Sequence, residues 1–146
     1  MSGLELDPVL LQRRLHHLAT AVSRLESFKS VTLEQLEQGE SIDWAVLYGL
    51  QTCIQAVLDI SAHLVAASGS AVTDSYRSGL LALGRLGILP QEFAQRIADM
   101  AGFRNILVHD YLDVDMAVVK RILDEQLDDF KEFGQHVERY MARDAD

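Results

Sequence analysis

The sequence predicts an all-α fold, an up-and-down bundle of about five to six helices in a single domain over residues 1–146, with its core at about 7–141. Three features predict it. Apolar residues recur at alternating spacings of three and four, the period of one helix face, and no stretch alternates apolar with polar as a half-buried strand does. Helix start and stop signals flank those stripes. The composition holds only two prolines and abundant Leu, Ala, Gln, Glu and Arg, which favour helix.

The first helix opens at Asp7-Pro8, an N-cap acceptor followed by a residue whose missing N–H costs nothing in the first turn. Leu11, Leu15, Leu18, Val22 and Leu25 carry its stripe to about Lys29. Thr32-Leu33-Glu34-Gln35 matches a capping box, and Gly39 closes the short helix it opens. A long central helix starts near Ser41–Asp43 and ends at Gly69. Trp44, Leu47, Ile54, Leu58 and Val65 mark its inner face, and Leu50, Cys53, Val57 and Ile60 widen it. So broad an apolar surface implies contact on two sides, one of them open to a second subunit. Thr73-Asp74-Ser75 begins a shorter helix ending at Gly87, and Pro90 begins another through Phe93, Ile97 and Met100. Asp113 or Asp115 caps a final long helix whose stripe runs from Val119 to Tyr140.

Composition narrows the function. A net charge of −9 argues against broad, sequence-independent nucleic-acid binding, which needs a basic face, but leaves room for a small cationic site and for a basic partner. Cys53 has no intrachain partner, which fits a reducing compartment. The acidic N-terminus lacks a basic region followed by an apolar one, so no signal peptide is expected. No apolar run reaches the roughly 18 residues of a transmembrane span. The expected location is the cytoplasm.

The residues that carry chemistry are concentrated in Arg104-Asn105-Ile106-Leu107-Val108-His109-Asp110-Tyr111. A permanently charged guanidinium, an imidazole and a phenol interrupt an otherwise apolar run. At about 100° per residue, Arg104 and Tyr111 fall near one helix face, and Asn105 shares another with His109. Arg104 and His109 diverge by about 140°. To cooperate they need a bend, a helix end or long side chains curling into one cleft, and Gly102 permits local irregularity. The chemistry these groups suit is RNA cleavage by internal phosphoryl transfer. His109 takes the proton of a ribose 2′-hydroxyl or delivers one to the leaving 5′-oxygen, and Arg104 grips the phosphate, with no metal required. The bland reading is that Arg104 pairs with an acid on a neighbouring helix while His109 is a satisfied, half-buried histidine. For Tyr111 the bland reading is a core tyrosine with a partnered hydroxyl.

These residues resemble the signature of the HepT-type toxin ribonucleases of the HEPN superfamily, the toxins of HepT/MntA-type toxin–antitoxin systems. Arg104, His109 and Tyr111 fit its pattern of Arg, four residues, His, any residue, Tyr, and Asn105 follows the arginine as is usual there. Met100-Ala101-Gly102-Phe103, Leu58-Asp59-Ile60-Ser61-Ala62-His63 and the stretch from Tyr76 to Leu89 resemble the family's flanking segments. The resemblance covers roughly residues 7–141. It implies a homodimer whose motif residues line a shared cleft, metal-independent endoribonuclease activity, and no cofactor. Arg104 and His109 are then catalytic, with Asn105 and Asp59 in support. It also implies a cognate minimal nucleotidyltransferase antitoxin that transfers AMP to Tyr111, whose added charge and bulk would exclude RNA. In one respect the chain departs from the pattern. Members often carry Glu four residues before Asp59, where this sequence has Gln55.

Other groups are weaker candidates. Asp59 and His63 share a helix face and read as a hydrogen-bonded pair rather than half of a metal site. His16 and His17 read as surface or interface residues. Cys53 sits on an apolar face with no activating partners. Asp124, Glu125, Asp128 and Asp129 read as a solvated acidic band or a landing surface for a basic partner. Two other functions fit the same fold: a non-catalytic helical dimer that binds nucleotide or a nucleotidyltransferase partner, and a purely structural dimer.

Overall fold

The computed structural model describes residues 6–69 and 75–145. Among them every regular element is helical. The order is α1 (Pro8–Glu26), α2 (Leu33–Gln38), α3 (Ile42–Ala67), α4 (Tyr76–Arg85), α5 (Gln91–Ala98), α6 (Met100–His109), a 3-10 turn (Tyr111–Asp113), α7 (Met116–Glu125) and α8 (Leu127–Ala145).

The caps form as their chemistry requires. The Asp7 side chain accepts from the Leu10 N–H, and the Thr32–Gln35 capping box is present in both directions. Gly39 and Gly69 take the left-handed conformation that ends α2 and follows α3. Ser75 caps α4 through the Ser78 N–H. Thr73 and Asp74, expected to share that start, lie outside the described residues. Asp115 rather than Asp113 caps α7, accepting from the Ala117 N–H at 2.9 Å.

The bundle is organised around α3. It packs along α1 on one side and against α4 and α6 on another, while α8 covers α1 and α5 packs on α4. The α1–α3 pair is antiparallel, and three contacts fix its register. The Asp7 N–H donates to His63 Nε2 at 3.2 Å, Arg14 meets Asp59 at 3.3 Å, and Leu25 fits against Gly49. A Cβ at position 49 would stand 2.7 Å from Leu25 Cδ2, so glycine allows the two helices this approach. Leu11, Leu50, Ile54, Leu58, Phe130 and Phe133 are among the fully buried side chains of the core.

Several expectations need correction. Trp44 is not on the inner face of α3; it is 68% exposed, and Tyr48 one turn later is 72% exposed. The final stripe is not one helix. Gln126, at φ −120° and ψ 0°, ends α7, and α8 restarts at Leu127 with both segments keeping their apolar faces inward. The motif stretch forms a helix of its own. Together these give more segments than the five to six expected. Asp59 and His63 do not pair with each other, because each reaches across to α1. The acidic band is partly engaged: Asp129 accepts from Arg96, Asp124 from Lys120, and Asp128 lies 4.0 Å from Lys131. Finally, α3 is long and apolar enough by length and composition to cross a membrane, although half of its apolar window is buried inside the bundle. Continuous apolar runs were the wrong measure for it, since scattered polar residues leave its mean hydropathy high.

Candidate active site

Helix α6 presents the site. Asp99 ends α5 and starts α6 in right-handed helical geometry, so the two helices meet at a single residue. Arg77, in the first turn of α4, donates to Asp99 Oδ1 at 2.7 Å and ties that junction to α4. Met100, Ala101 and Leu107 bury the inner side of α6. Arg104 emerges half-buried from its flank, and Asn105 and His109 are exposed.

Arg104 is held on three sides by neutral groups. Its Nε–H donates to Gln55 Oε1 of α3 at 3.2 Å, and Nη1 donates to Asn105 Oδ1 at 3.3 Å. Its guanidinium carbon lies 5.4 Å from the centroid of the Tyr76 ring at the start of α4. Among the described residues no carboxylate pairs with it. Behind it the network continues: Gln55 Nε2 donates to Asp59 Oδ1 at 2.9 Å, and Arg14 Nη1 donates to Asp59 Oδ2 at 3.3 Å. The chain Arg104–Gln55–Asp59–Arg14 thus crosses α6, α3 and α1. The carboxylate of Asp59 is answered by Arg14, and it reaches Arg104 only through the Gln55 amide. This is the opposite of the bland expectation, which required an acid beside Arg104 and a half-buried His109.

The structure brings Arg104 to Asn105 and Gln55, and through Gln55 to Asp59. It does not bring Arg104 to His109. Helix α6 runs unbroken through Gly102 and ends at His109, so the two remain about 140° apart around its axis. Nor does Tyr111 continue the Arg104 face as one helix would have placed it. Asp110, at φ −128° and ψ 32°, ends α6, and Tyr111 opens the separate 3-10 turn held by the Asp113 N–H on the Asp110 carbonyl at 2.8 Å. The Tyr111 side chain lies outside the described part of the structure.

Tyr76 and Arg14 were absent from the sequence-based site. Neither carries a local signal: Tyr76 lies 28 residues before Arg104 and reaches it only because α4 docks beside α6. Gln55 stood out in the sequence only as a departure. Cys53 is fully buried, and burial pushes its thiol up to about 12. No group of three or more His, Cys, Asp or Glu able to hold a metal occurs among the described residues.

Outside the network, the face of α3 nearest α6 is apolar and open. A groove of about 370 Å³ is lined by Trp44, Leu47, Tyr48, Gln51, Leu107 and Val108. Two exposed aromatics one turn apart beside a cationic site are unusual on an isolated monomer.

The chain is thus an all-α bundle that presents Arg104 and His109 from a surface helix with Tyr111 in the turn that follows, and among the described residues no carboxylate pairs with the arginine. A family model described as HepT-like, ribonuclease HepT-like, matches residues 18–137, and the chain belongs to that family. The mRNA nuclease HepT of Shewanella oneidensis is 28% identical over 99 residues, 68% of this chain and 74% of that protein. The tRNA nuclease HepT of Aphanizomenon flos-aquae is 26% identical over 136 residues, 93% of this chain and 92% of that one. In three dimensions the fold matches the tri-AMPylated Shewanella oneidensis HEPN toxin, solved in complex with MNT antitoxin, with a TM-score of 0.79. That match covers 88% of this chain and 96% of the other at 22% identity.

Proposed function

We propose that this chain is the toxin of a toxin–antitoxin pair, a metal-independent cytoplasmic endoribonuclease that acts as a homodimer. The carrying observation is the charge state around Arg104. A guanidinium held by an amide, an aromatic ring and an asparagine keeps its full charge for a phosphate. In the proposed reaction the 2′-hydroxyl of one ribose attacks the adjacent phosphorus. Its proton passes to the His109 imidazole, the bond to the leaving 5′-oxygen breaks, and that oxygen takes a proton from water, to which the imidazolium later returns its own. The products are a 2′,3′-cyclic phosphate and a free 5′-hydroxyl. Arg104 stabilises the charge that develops on the phosphoryl oxygens.

The divergence of Arg104 and His109 on one helix supports a cleft assembled from two subunits. In that cleft the arginine of one copy faces the histidine of the other. The exposed Trp44–Tyr48 face beside Leu107 and Val108 is the apolar surface on which the second copy packs. Asn105 and Asp59 support the guanidinium, one directly and one through Gln55.

A nucleotidyltransferase antitoxin switches the site off by transferring AMP from ATP to the Tyr111 hydroxyl, with pyrophosphate and the phenolic proton released. The phosphodiester it leaves carries negative charge and bulk two residues from His109, repelling RNA and blocking the cleft. The matching toxin fold solved with MNT antitoxin, itself tri-AMPylated, is what supports this partner and this chemistry.

The test is cleavage of RNA by purified protein in excess EDTA. Cutting is expected to persist, and to fall at least about a hundredfold in Arg104→Ala and in His109→Ala. Undiminished cutting in both variants, or cutting abolished by EDTA, rules the mechanism out. Incubation with the antitoxin and ATP is expected to raise the intact mass by whole AMP units, and not to do so in Tyr111→Phe.

A further inference from the structure

We propose that Tyr76 and Gln55 are positioning residues that clamp Arg104, aiming its outer edge at the scissile phosphate without neutralising it. The inference rests on the ribonuclease reading.

A guanidinium offers a phosphate two usable edges: the side made by Nε and one terminal nitrogen, and the end made by the two terminal nitrogens. In this site the Nε–H is taken by Gln55 Oε1 at 3.2 Å, so the side edge is closed. The end edge remains, with one Nη1 hydrogen lent to Asn105. The Tyr76 ring lies against one face of the guanidinium at 5.4 Å, which limits rotation about the last side-chain bonds. Amide and ring together leave the arginine a single direction in which to present paired donors. Fixing it beforehand removes an ordering cost from the moment of reaction.

The amide at position 55 has a second consequence. Its oxygen faces a cation and its nitrogen faces the Asp59 carboxylate at 2.9 Å, so one side chain satisfies both neighbours. Arg14 meanwhile balances Asp59 from the far side. Tyr76 is itself held in register by the next residue, since Arg77 grips Asp99 at the start of α6. The ring remains 41% exposed, so its contact with Arg104 is not a by-product of core packing.

The experiment reads the arginine and the reaction separately. In 15N-labelled full-length protein, the Arg104 Nε–H signal is assigned by its absence in Arg104→Lys. It is expected to exchange slowly with water and to show a ring-current shift. Gln55→Ala should speed that exchange, and Tyr76→Leu should remove the shift, while Tyr76→Phe keeps it. In RNA cleavage, Gln55→Ala and Tyr76→Leu should lower kcat about ten- to a hundredfold with KM little changed. Tyr76→Phe should cut at close to the wild-type rate. An Arg104 signal that is unchanged in both Gln55→Ala and Tyr76→Leu overturns the clamp, as does a wild-type kcat in both. If the wild type cuts no RNA while its Arg104 signal is held and then released by the variants, the ribonuclease reading fails and the clamp stands.

Discussion

Arg104 and His109 stand on one unbroken helix and point away from each other. Gly102 does not bend α6: the helix runs from Met100 to His109 without interruption. On the proposed reading, a single chain then contributes half of each of two sites.

Two glycines test the packing that sets the frame. A methyl group at position 49 would meet Leu25, which is buried and cannot turn outward. Gly49→Ala is therefore expected to destabilise the protein by about 1–3 kcal/mol through displacement of α1 from α3. Gly102 has open space around its Cβ position and lies inside a helix, so Gly102→Ala should add about 0.5–1 kcal/mol. Urea unfolding of both variants checks the opposite signs, and equal effects would contradict this account of the α1–α3 contact.

Cys53 should behave as an apolar core residue. With its thiol pushed up to about 12 by burial, almost none is thiolate in neutral solution. The native protein is expected to resist thiol reagents at about pH 8 and to react fully once unfolded. Rapid labelling of the native state would show that α3 opens locally, and would remove the rigidity on which the Gln55 contact depends.

The exposed aromatics of α3 should be an interface. Wild-type protein is expected to sediment as a dimer, and Trp44→Glu combined with Tyr48→Glu as a monomer with unchanged helical content, since both side chains are solvent-facing in one chain. Cleavage should vanish with the dimer. A fully active monomer would mean that the two half-sites are not joined across subunits.

Much of the fold was legible because its signals are local. Asp7-Pro8, Thr32 with Gln35, and Gly39 each act within a few residues, and their predicted caps formed. The division of the last helix at Gln126 was not legible, because the apolar stripe continues through the break and periodicity alone cannot see a backbone torsion. Trp44 was misplaced for a related reason. A large apolar side chain on a broad apolar helix reads as core, and only the position of α6 shows that it faces outward. In the candidate site, Arg104, Asn105 and His109 were proposed from spacing and resemblance. Their environment was not. The contact with Gln55 spans 49 residues and that with Tyr76 spans 28, distances over which no sequence period carries information. What the structure adds to the motif is therefore the neutrality of its surroundings.

The most direct measurement is complementation between two inactive proteins. Arg104→Ala and His109→Ala are purified separately, mixed, exchanged and assayed on RNA. If each site takes Arg104 from one subunit and His109 from the other, half of the mixed dimers are heterodimers and each of these holds one intact site. About a quarter of wild-type activity should then return. No recovery, with subunit exchange confirmed by mass, would show that each chain carries its own complete site and would contradict the two-subunit cleft.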